Sequence, residues 1–213
     1  MIFRDRRDAG EQLAARLSFL TEEPELIVLG IPRGGMVVAA EIARALNAPL
    51  DVFVAHKIGA PFNPELAIGA VTAKEDVLFD ADLIAQVHLS HEEVDRAVEA
   101  ERTEVSRRQA VFRQNLPPLK IAGKRVVLVD DGIATGSTVL VSLRALCKQG
   151  AQVVLAIPVG PAEVIASLAR ECDQLVVLST PEPFWAVGKY YANFQQTSDQ
   201  EVITLLNAAA QRH

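Results

Sequence analysis

Val126-Val127-Leu128-Val129-Asp130-Asp131-Gly132-Ile133-Ala134-Thr135-Gly136-Ser137-Thr138 is the stretch whose reading decides the fold. Its first four residues are apolar without alternation, the pattern of a strand covered on both faces. Two acids stop the run. A short turn marked by Gly then leads into Val139, Leu140, Leu143 and Leu146, whose spacing predicts a helix to about Gln149. The same order of events recurs elsewhere. Leu26-Ile27-Val28-Leu29-Gly30 stops at Ile31-Pro32-Arg33-Gly34-Gly35, and Val37, Val38, Ala40, Ile42, Ala43 and Leu46 give a helical face closed by Asn47-Ala48-Pro49. Residues 52–55, 66–71, 153–157 and 175–178 are further short apolar runs, with a helix expected around 162–170. Alternating strands and helices of this kind predict an α/β fold, a mainly parallel twisted sheet flanked by helices.

Composition agrees. The 213 residues are 50% hydrophobic and 23% charged, with 12 Gly and 11 Pro, which speaks against disorder, collagen or a solenoid. A chain of this length buries about 70% of its extended surface in one core, so a single domain over 1–213 is expected, its core at about 24–180. The net charge of −6 makes nucleic acid a poor partner, because phosphate-backbone binders carry a basic surplus. Two cysteines, Cys147 and Cys172, are too few for a disulfide framework and fit a reducing, cytoplasmic setting. Cys147, on the helix after the decisive loop, reads as a packing residue. No apolar region follows Met1-Ile2-Phe3-Arg4-Asp5-Arg6-Arg7, and no run approaches the ~18 residues of a membrane span, so neither a signal peptide nor a membrane partner is expected.

Residues 90–114 break the rhythm. Ser90 with Glu93 has the form of a capping box, and Val94, Val98, Val105 and Phe112 draw one apolar stripe along a highly charged segment. It reads as a surface helix ended by Leu116-Pro117-Pro118. The alternative is a partner-binding helix, with a homodimer as the assembly.

The chemistry lies in the decisive loop. A buried strand delivers Asp130 and Asp131 at its C-terminal end, where open α/β sheets bind ligands. Ala134, Thr135, Gly136, Ser137 and Thr138 then enter a helix N-terminus, whose free amides and dipole suit a phosphate dianion. The two carboxylates cannot face that phosphate. They suit hydroxyls of a sugar attached to it, or a metal bridging to it, and a ribose 5-phosphate satisfies both halves. No Gly-x-x-x-x-Gly-Lys-Ser/Thr sequence is present, and residues 30–35 lack Gly-x-Gly-x-x-Gly spacing, so triphosphate and dinucleotide loops are excluded.

The acid pair with its Thr-Gly-Ser-Thr turn resembles the phosphoribosyl-pyrophosphate motif of the type I phosphoribosyltransferases. Gly30-Ile31-Pro32-Arg33-Gly34-Gly35 resembles that family's pyrophosphate loop, and His56-Lys57 sits where members carry a basic dipeptide. The likeness extends over residues 63–71 to an uncharacterised bacterial subfamily. It implies that Asp130 and Asp131 bind the ribose hydroxyls, that Ala134, Thr135, Gly136, Ser137 and Thr138 hold the 5-phosphate, and that Arg33, Gly34, Gly35 and Lys57 serve the pyrophosphate. Asp130, Asp131, Lys57 and Arg33 are then the catalytic set, and Mg²⁺, carried mainly by the substrate with Asp130 and Asp131 as protein ligands, is the implied cofactor. The implied partners are phosphoribosyl pyrophosphate and a small-molecule acceptor with a nitrogen nucleophile, such as a nucleobase. A non-catalytic sensor of phosphoribosyl pyrophosphate or nucleotides is the alternative function. Aromatic residues crowd into 184–194, either as a satellite cluster that anchors the C-terminal segment or, as the resemblance implies, as part of a hood over the acceptor built from about 1–10 and 181–198, with Trp185, Tyr190 and Tyr191 facing the acceptor and Phe3, Arg4 and Arg6 joining from the other terminus.

Overall fold

Strand β6 (Arg125–Val129) is the centre of a five-stranded sheet in the computed structural model of the chain, which describes residues 2–72, 77–79, 81–114 and 116–212. Val126, Val127, Leu128 and Val129 are all fully buried, as a run without alternation requires. Val127 and Val129 pack on one side of the sheet with Val28, Met36 and Ile42; Val126 and Leu128 pack on the other with Leu143, Leu146 and Leu155. The remaining strands are β1 (Ile27–Gly30), β2 (Leu50–Val52), β7 (Gln152–Val159) and β8 (Gln174–Ser179). Their order is β2-β1-β6-β7-β8, and every pairing is parallel. The helices are α1 (Arg6–Arg16), α2 (Gly34–Ala45), α3 (Ala81–Gln86), α4 (His91–Arg113), α5 (Ser137–Lys148), α6 (Ala162–Leu168) and α7 (Asp199–Ala210). The parallel α/β expectation holds.

Two of the apolar runs do something else. Of residues 52–55 only Val52 belongs to β2, and residues 66–71 lie in a separate antiparallel sheet of β3 (Ala55–Ala60), β4 (Asn63–Thr72) and β5 (Val77–Phe79). The reason is the connection. Only Pro61 and Phe62 join β3 to β4, enough for a hairpin, whereas a parallel crossover takes a dozen residues or more.

The charged segment is a 23-residue helix, and its capping box is complete: Ser90 accepts from the Glu93 amide while Glu93 accepts from the Ser90 amide. Val94, Val98, Val105 and Phe112 are buried in the chain's own core, so the apolar stripe is already covered. Its C-terminal end is fastened by a buried ion pair. Arg113 Nη2 donates to Asp51 Oδ2 over 2.8 Å, and the Leu119 and Val52 amides donate to the same carboxylate. Burial still pushes the Asp51 carboxyl up, with Arg113 opposing it in part. Cys147 is exposed rather than packed, its Sγ directed at the Glu171 carbonyl.

The chain ends meet. The Phe3 amide donates to the Tyr190 carbonyl, and the Ala192 and Asn193 amides donate to the carbonyls of Phe3 and Arg4. Phe3 is fully buried, its ring 5.3 Å from that of Tyr191. Met1 and His213 lie outside the described residues. Among the described residues no helix is long and apolar enough to cross a membrane.

Candidate functional site

Strand β1 connects through α2 to β2 on one side of it, while its neighbour on the other side is β6. The connections diverge there, and a crevice opens at the C-terminal ends of β1 and β6, the usual ligand position in open parallel sheets. The Ile31 amide donates to the Val129 carbonyl over 2.8 Å and so holds the two following loops side by side. These are the loops singled out in the sequence, residues 31–33 and 130–136.

Helix capping separates this edge from the rest of the molecule. Helices α1, α4 and α7 have their first amides satisfied by Asp5, Ser90 and Ser198, whereas α2, α5 and α6, which start at the sheet's C-terminal edge, have no side-chain cap. An uncapped first turn leaves amide donors for a ligand. At α5 the cap position is Gly136 with φ 77°, a left-handed conformation that glycine adopts without cost, and a Cβ there would come within 2.8 Å of Val164 Cγ1. Ala134 and Thr135 are exposed on the turn, and the hydroxyls of Thr135 and Ser137 stand 3.3 Å apart.

The two acids differ in their surroundings. Asp130 Oδ1 accepts from the Asp131 amide at 2.8 Å. Burial and then the adjacent Asp131 charge push the Asp130 carboxyl well above the usual carboxylate range. Asp131 has a cationic partner: Arg6 Nε donates to its Oδ2 over 2.6 Å, and the two side chains are only 11% and 16% exposed. Arg6 is held in turn. Its Nη1 donates to the Gln195 carbonyl at 2.7 Å, and its guanidinium carbon lies 3.9 Å above the Phe194 ring. Tyr191 is buried, with its hydroxyl donating to the Asp131 carbonyl at 2.5 Å, and burial raises that phenol. It braces the acid loop from beneath. Sequence reasoning placed Arg6 near the cap but missed this pairing across 125 residues, for which no local pattern exists.

Gly34 explains why that pair fits. A Cβ at Gly34 would collide with the Asp131 carboxylate and lie 2.7 Å from Arg6 Nε. Gly34→Ala is therefore expected to displace Asp131 or Arg6 and to lower stability by about 1–3 kcal/mol, the range for an overpacked site. Thermal unfolding beside ligand titration checks this, and an unchanged melting temperature contradicts the packing.

Pyrophosphate-side residues divide between two cavities. A cleft of about 550 Å³ is lined by Pro32, His56, Lys57, Glu101, Arg108 and Thr138 among others. Thr138 at the start of α5 thus faces the same space as Lys57 on β3. His56 Nδ1 sits 2.9 Å from Glu101 Oε2, so α4 enters the site, which the sequence did not announce. Arg33 lines an adjoining cavity instead, with Nη1 3.6 Å from Asp199 Oδ1. Of the aromatic cap, Trp185 is 77% exposed and Tyr190 stacks on Phe184 at 5.3 Å. Among the described residues no group of three or more His, Cys, Asp or Glu side chains is placed to hold a metal.

Comparison with known proteins fits this geometry. Residues 4–163 match the model of the phosphoribosyl transferase domain. A Mycobacterium tuberculosis protein named a putative phosphoribosyl transferase is 44% identical over 209 residues, covering 98% of this chain and 47% of the relative. The chain thus spans about half the length of that curated relative. The solved structure of TT1426 from Thermus thermophilus is 39% identical, with a TM-score of 0.88 over 97% of this chain and 98% of that one. A Neisseria gonorrhoeae hypothetical protein solved with bound ppGpp shares the fold at 15% identity, with a TM-score of 0.53 over 98% of this chain and 94% of that one. With the family model covering most of its length and the acid pair, open helix start and basic cleft assembled at one sheet edge, the chain belongs to the phosphoribosyl transferase domain family.

Proposed function

We propose that the chain transfers a 5-phosphoribosyl group from phosphoribosyl pyrophosphate to a nitrogen acceptor, releasing pyrophosphate. The observation that carries this is the uncapped start of α5 behind Gly136, directly after two acids at the end of a buried strand. Amides of the α5 first turn, with the Thr135, Ser137 and Thr138 hydroxyls, hold the 5-phosphate. Asp130 and Asp131 face the ribose hydroxyls and favour positive charge as it develops at C1. Lys57 and the uncapped amides of Gly34 and Gly35 at the start of α2 receive the leaving pyrophosphate, with Arg33 at its margin. The nitrogen lone pair forms the new bond to C1 as the bond to the pyrophosphate oxygen breaks, and the electron pair leaves on pyrophosphate. The nitrogen's proton passes to solvent or to a nearby base. Trp185 and Tyr190 in the cap built from the chain ends line the acceptor side, while Tyr191 positions the loop.

Mg²⁺ fits as a substrate-borne ion. Two carboxylates, one of them paired with Arg6, are too few for a protein cage, and Mg²⁺ favours phosphate oxygens and water with one or two carboxylates. When bound it would neutralise charge on the diphosphate, with Asp130 and Asp131 as its protein-side ligands.

A pyrophosphate-release screen tests the reading, using phosphoribosyl pyrophosphate, Mg²⁺ and a panel of nucleobases and amines. Release that depends on one acceptor class is expected. The Arg6–Asp131 ion pair favours one other reading, a sensor in which the second acid is withheld from catalysis. Tight binding without release across the panel selects it.

A further inference from the structure

Arg6 stands between two spaces. On one side its Nε donates to Asp131, and on the other it lines a cavity of about 190 Å³ together with Asp5, Arg7, Thr197 and Glu201. Neither Trp185 nor Tyr190 borders this cavity, so it is separate from the aromatic part of the cap. Its polar groups are largely idle. Thr197 is only 4% exposed, yet its hydroxyl makes no hydrogen bond among the described residues. A buried hydroxyl without a protein partner is uncommon and marks a place for a ligand or an ordered water. The Arg7 guanidinium and the Glu201 carboxylate are exposed and form no ion pair among the described residues. Arg6 keeps Nη2 in reserve, since Nε and Nη1 serve Asp131 and the Gln195 carbonyl.

The lining fixes the chemistry of the ligand. A simple anion would meet Asp5 and Glu201, and a simple cation would meet Arg6 and Arg7. A molecule with both charges satisfies all four. Of the described residues that line the space, Val37 alone is apolar and none is aromatic, so a flat heterocycle finds nothing to stack on. The volume also lies below the roughly 300 Å³ at which pockets for larger ligands begin. We propose that this cavity binds a small zwitterion of the α-amino-acid type, its carboxylate on Arg6 and Arg7 and its ammonium group toward Asp5, Glu201 and the Thr197 hydroxyl.

Binding there reaches the catalytic edge through Arg6. A ligand carboxylate competes with Asp131 for one guanidinium, where both protein side chains are mostly buried and charge-assisted hydrogen bonds are strong. Drawing Arg6 toward the cavity releases Asp131 to the ribose hydroxyls, a consequence that rests on the role proposed for Asp131 above. The zwitterion and a ribose 5-phosphate ligand therefore strengthen each other's binding, and reciprocally so.

The test is a calorimetric titration of the full chain with and without saturating ribose 5-phosphate. The probes are glycine, L-serine and L-asparagine, with acetate and ethylamine as single-charge controls. At least one amino acid is expected to bind once per chain, tighter than either control, and about fivefold or more tighter again beside ribose 5-phosphate. Arg7→Gln and Glu201→Gln, both at exposed positions, should each weaken the amino acid by about tenfold and leave the affinity for ribose 5-phosphate alone unchanged. Arg6→Gln should abolish the mutual enhancement, because Asp131 is then already free. No amino-acid binding, or binding indifferent to Arg7→Gln and Glu201→Gln, overturns the site. Binding that both variants weaken, but that bound ribose 5-phosphate does not alter, overturns the link through Arg6. If ribose 5-phosphate itself fails to bind, the proposed function falls while the cavity still stands or falls on the two surface variants. Adding phosphoribosyl pyrophosphate and Mg²⁺ then separates two sources of the same chemistry. An amino acid consumed as pyrophosphate appears is the nitrogen acceptor, one that alters release without being consumed is an effector, and either result sustains the site.

Discussion

Asp130→Asn combined with Asp131→Asn lowers turnover by about 10²–10³, the cost of removing a group aimed at charge that develops in the transition state. Binding of a 5-phosphate is expected to survive, because the donors at the start of α5 are backbone amides that neither substitution touches. Removing negative charge beside an anion site even favours phosphate. Steady-state turnover beside calorimetric titration of a nucleoside monophosphate separates the two effects, and unchanged turnover in a folded variant removes the carboxylates from the mechanism. Asp130→Asn alone carries a pH signature. Its carboxyl is raised by burial in the folded chain, above the ordinary 3.8 that the unfolded chain restores. Below that value both states hold the proton and the variant matches wild type. As pH rises above it, the unfolded chain ionises while the folded carboxyl keeps its proton, so wild type loses stability that Asn keeps, and the loss is complete once the folded-state value is passed. The single variant is therefore more stable near neutral pH and less active, a functional group held at a cost to the fold. Melting temperatures across pH check the sign.

Arg113→Ala is expected to destabilise the chain by about 3–5 kcal/mol, because it strands the buried Asp51 carboxylate that fastens the end of α4 to β2. Asp51→Asn, which removes the charge while keeping the accepting oxygen, should cost much less. The contrast identifies the unpaired charge as the cause. Since α4 carries Glu101 and Arg108 into the cleft, loosening its end should also weaken pyrophosphate binding before the chain unfolds. Denaturant unfolding of both variants measures the difference, and equal losses contradict the account.

What the sequence disclosed follows the range of the forces involved. Strand β6, the acids after it and the start of α5 were legible because burial on both faces and a helix start each write a local pattern at residues 126–138. The charged helix was legible through Ser90, Glu93 and its recurring apolar positions. Helix α1 was not, because its buried face is made largely of Ala9, Gly10 and Ala14 with only Leu13 as a large apolar residue, too faint a stripe to see. Helix α7 did leave a signal, with Ser198 capping the Glu201 amide before Val202, Ile203, Leu206 and Ala209, and it went unread. Nothing local marks Arg6 as the partner of Asp131, or Arg33 and Arg108 as walls of one cavity; those depend on how distant segments close. The direction of residues 66–71 was decided by the two-residue link before them, not by their own apolar character.

Whether the acids and the open helix start act together on one ligand is decided most directly by a crystal structure of the chain soaked with ribose 5-phosphate. The phosphate is expected at the amides of Ser137 and Thr138, within hydrogen-bond distance of the Thr135 hydroxyl, with the ribose hydroxyls on Asp130 and Asp131 and Arg6 released from or shared with Asp131. A phosphate bound elsewhere, with the start of α5 holding only water and the Arg6–Asp131 pair intact, contradicts it.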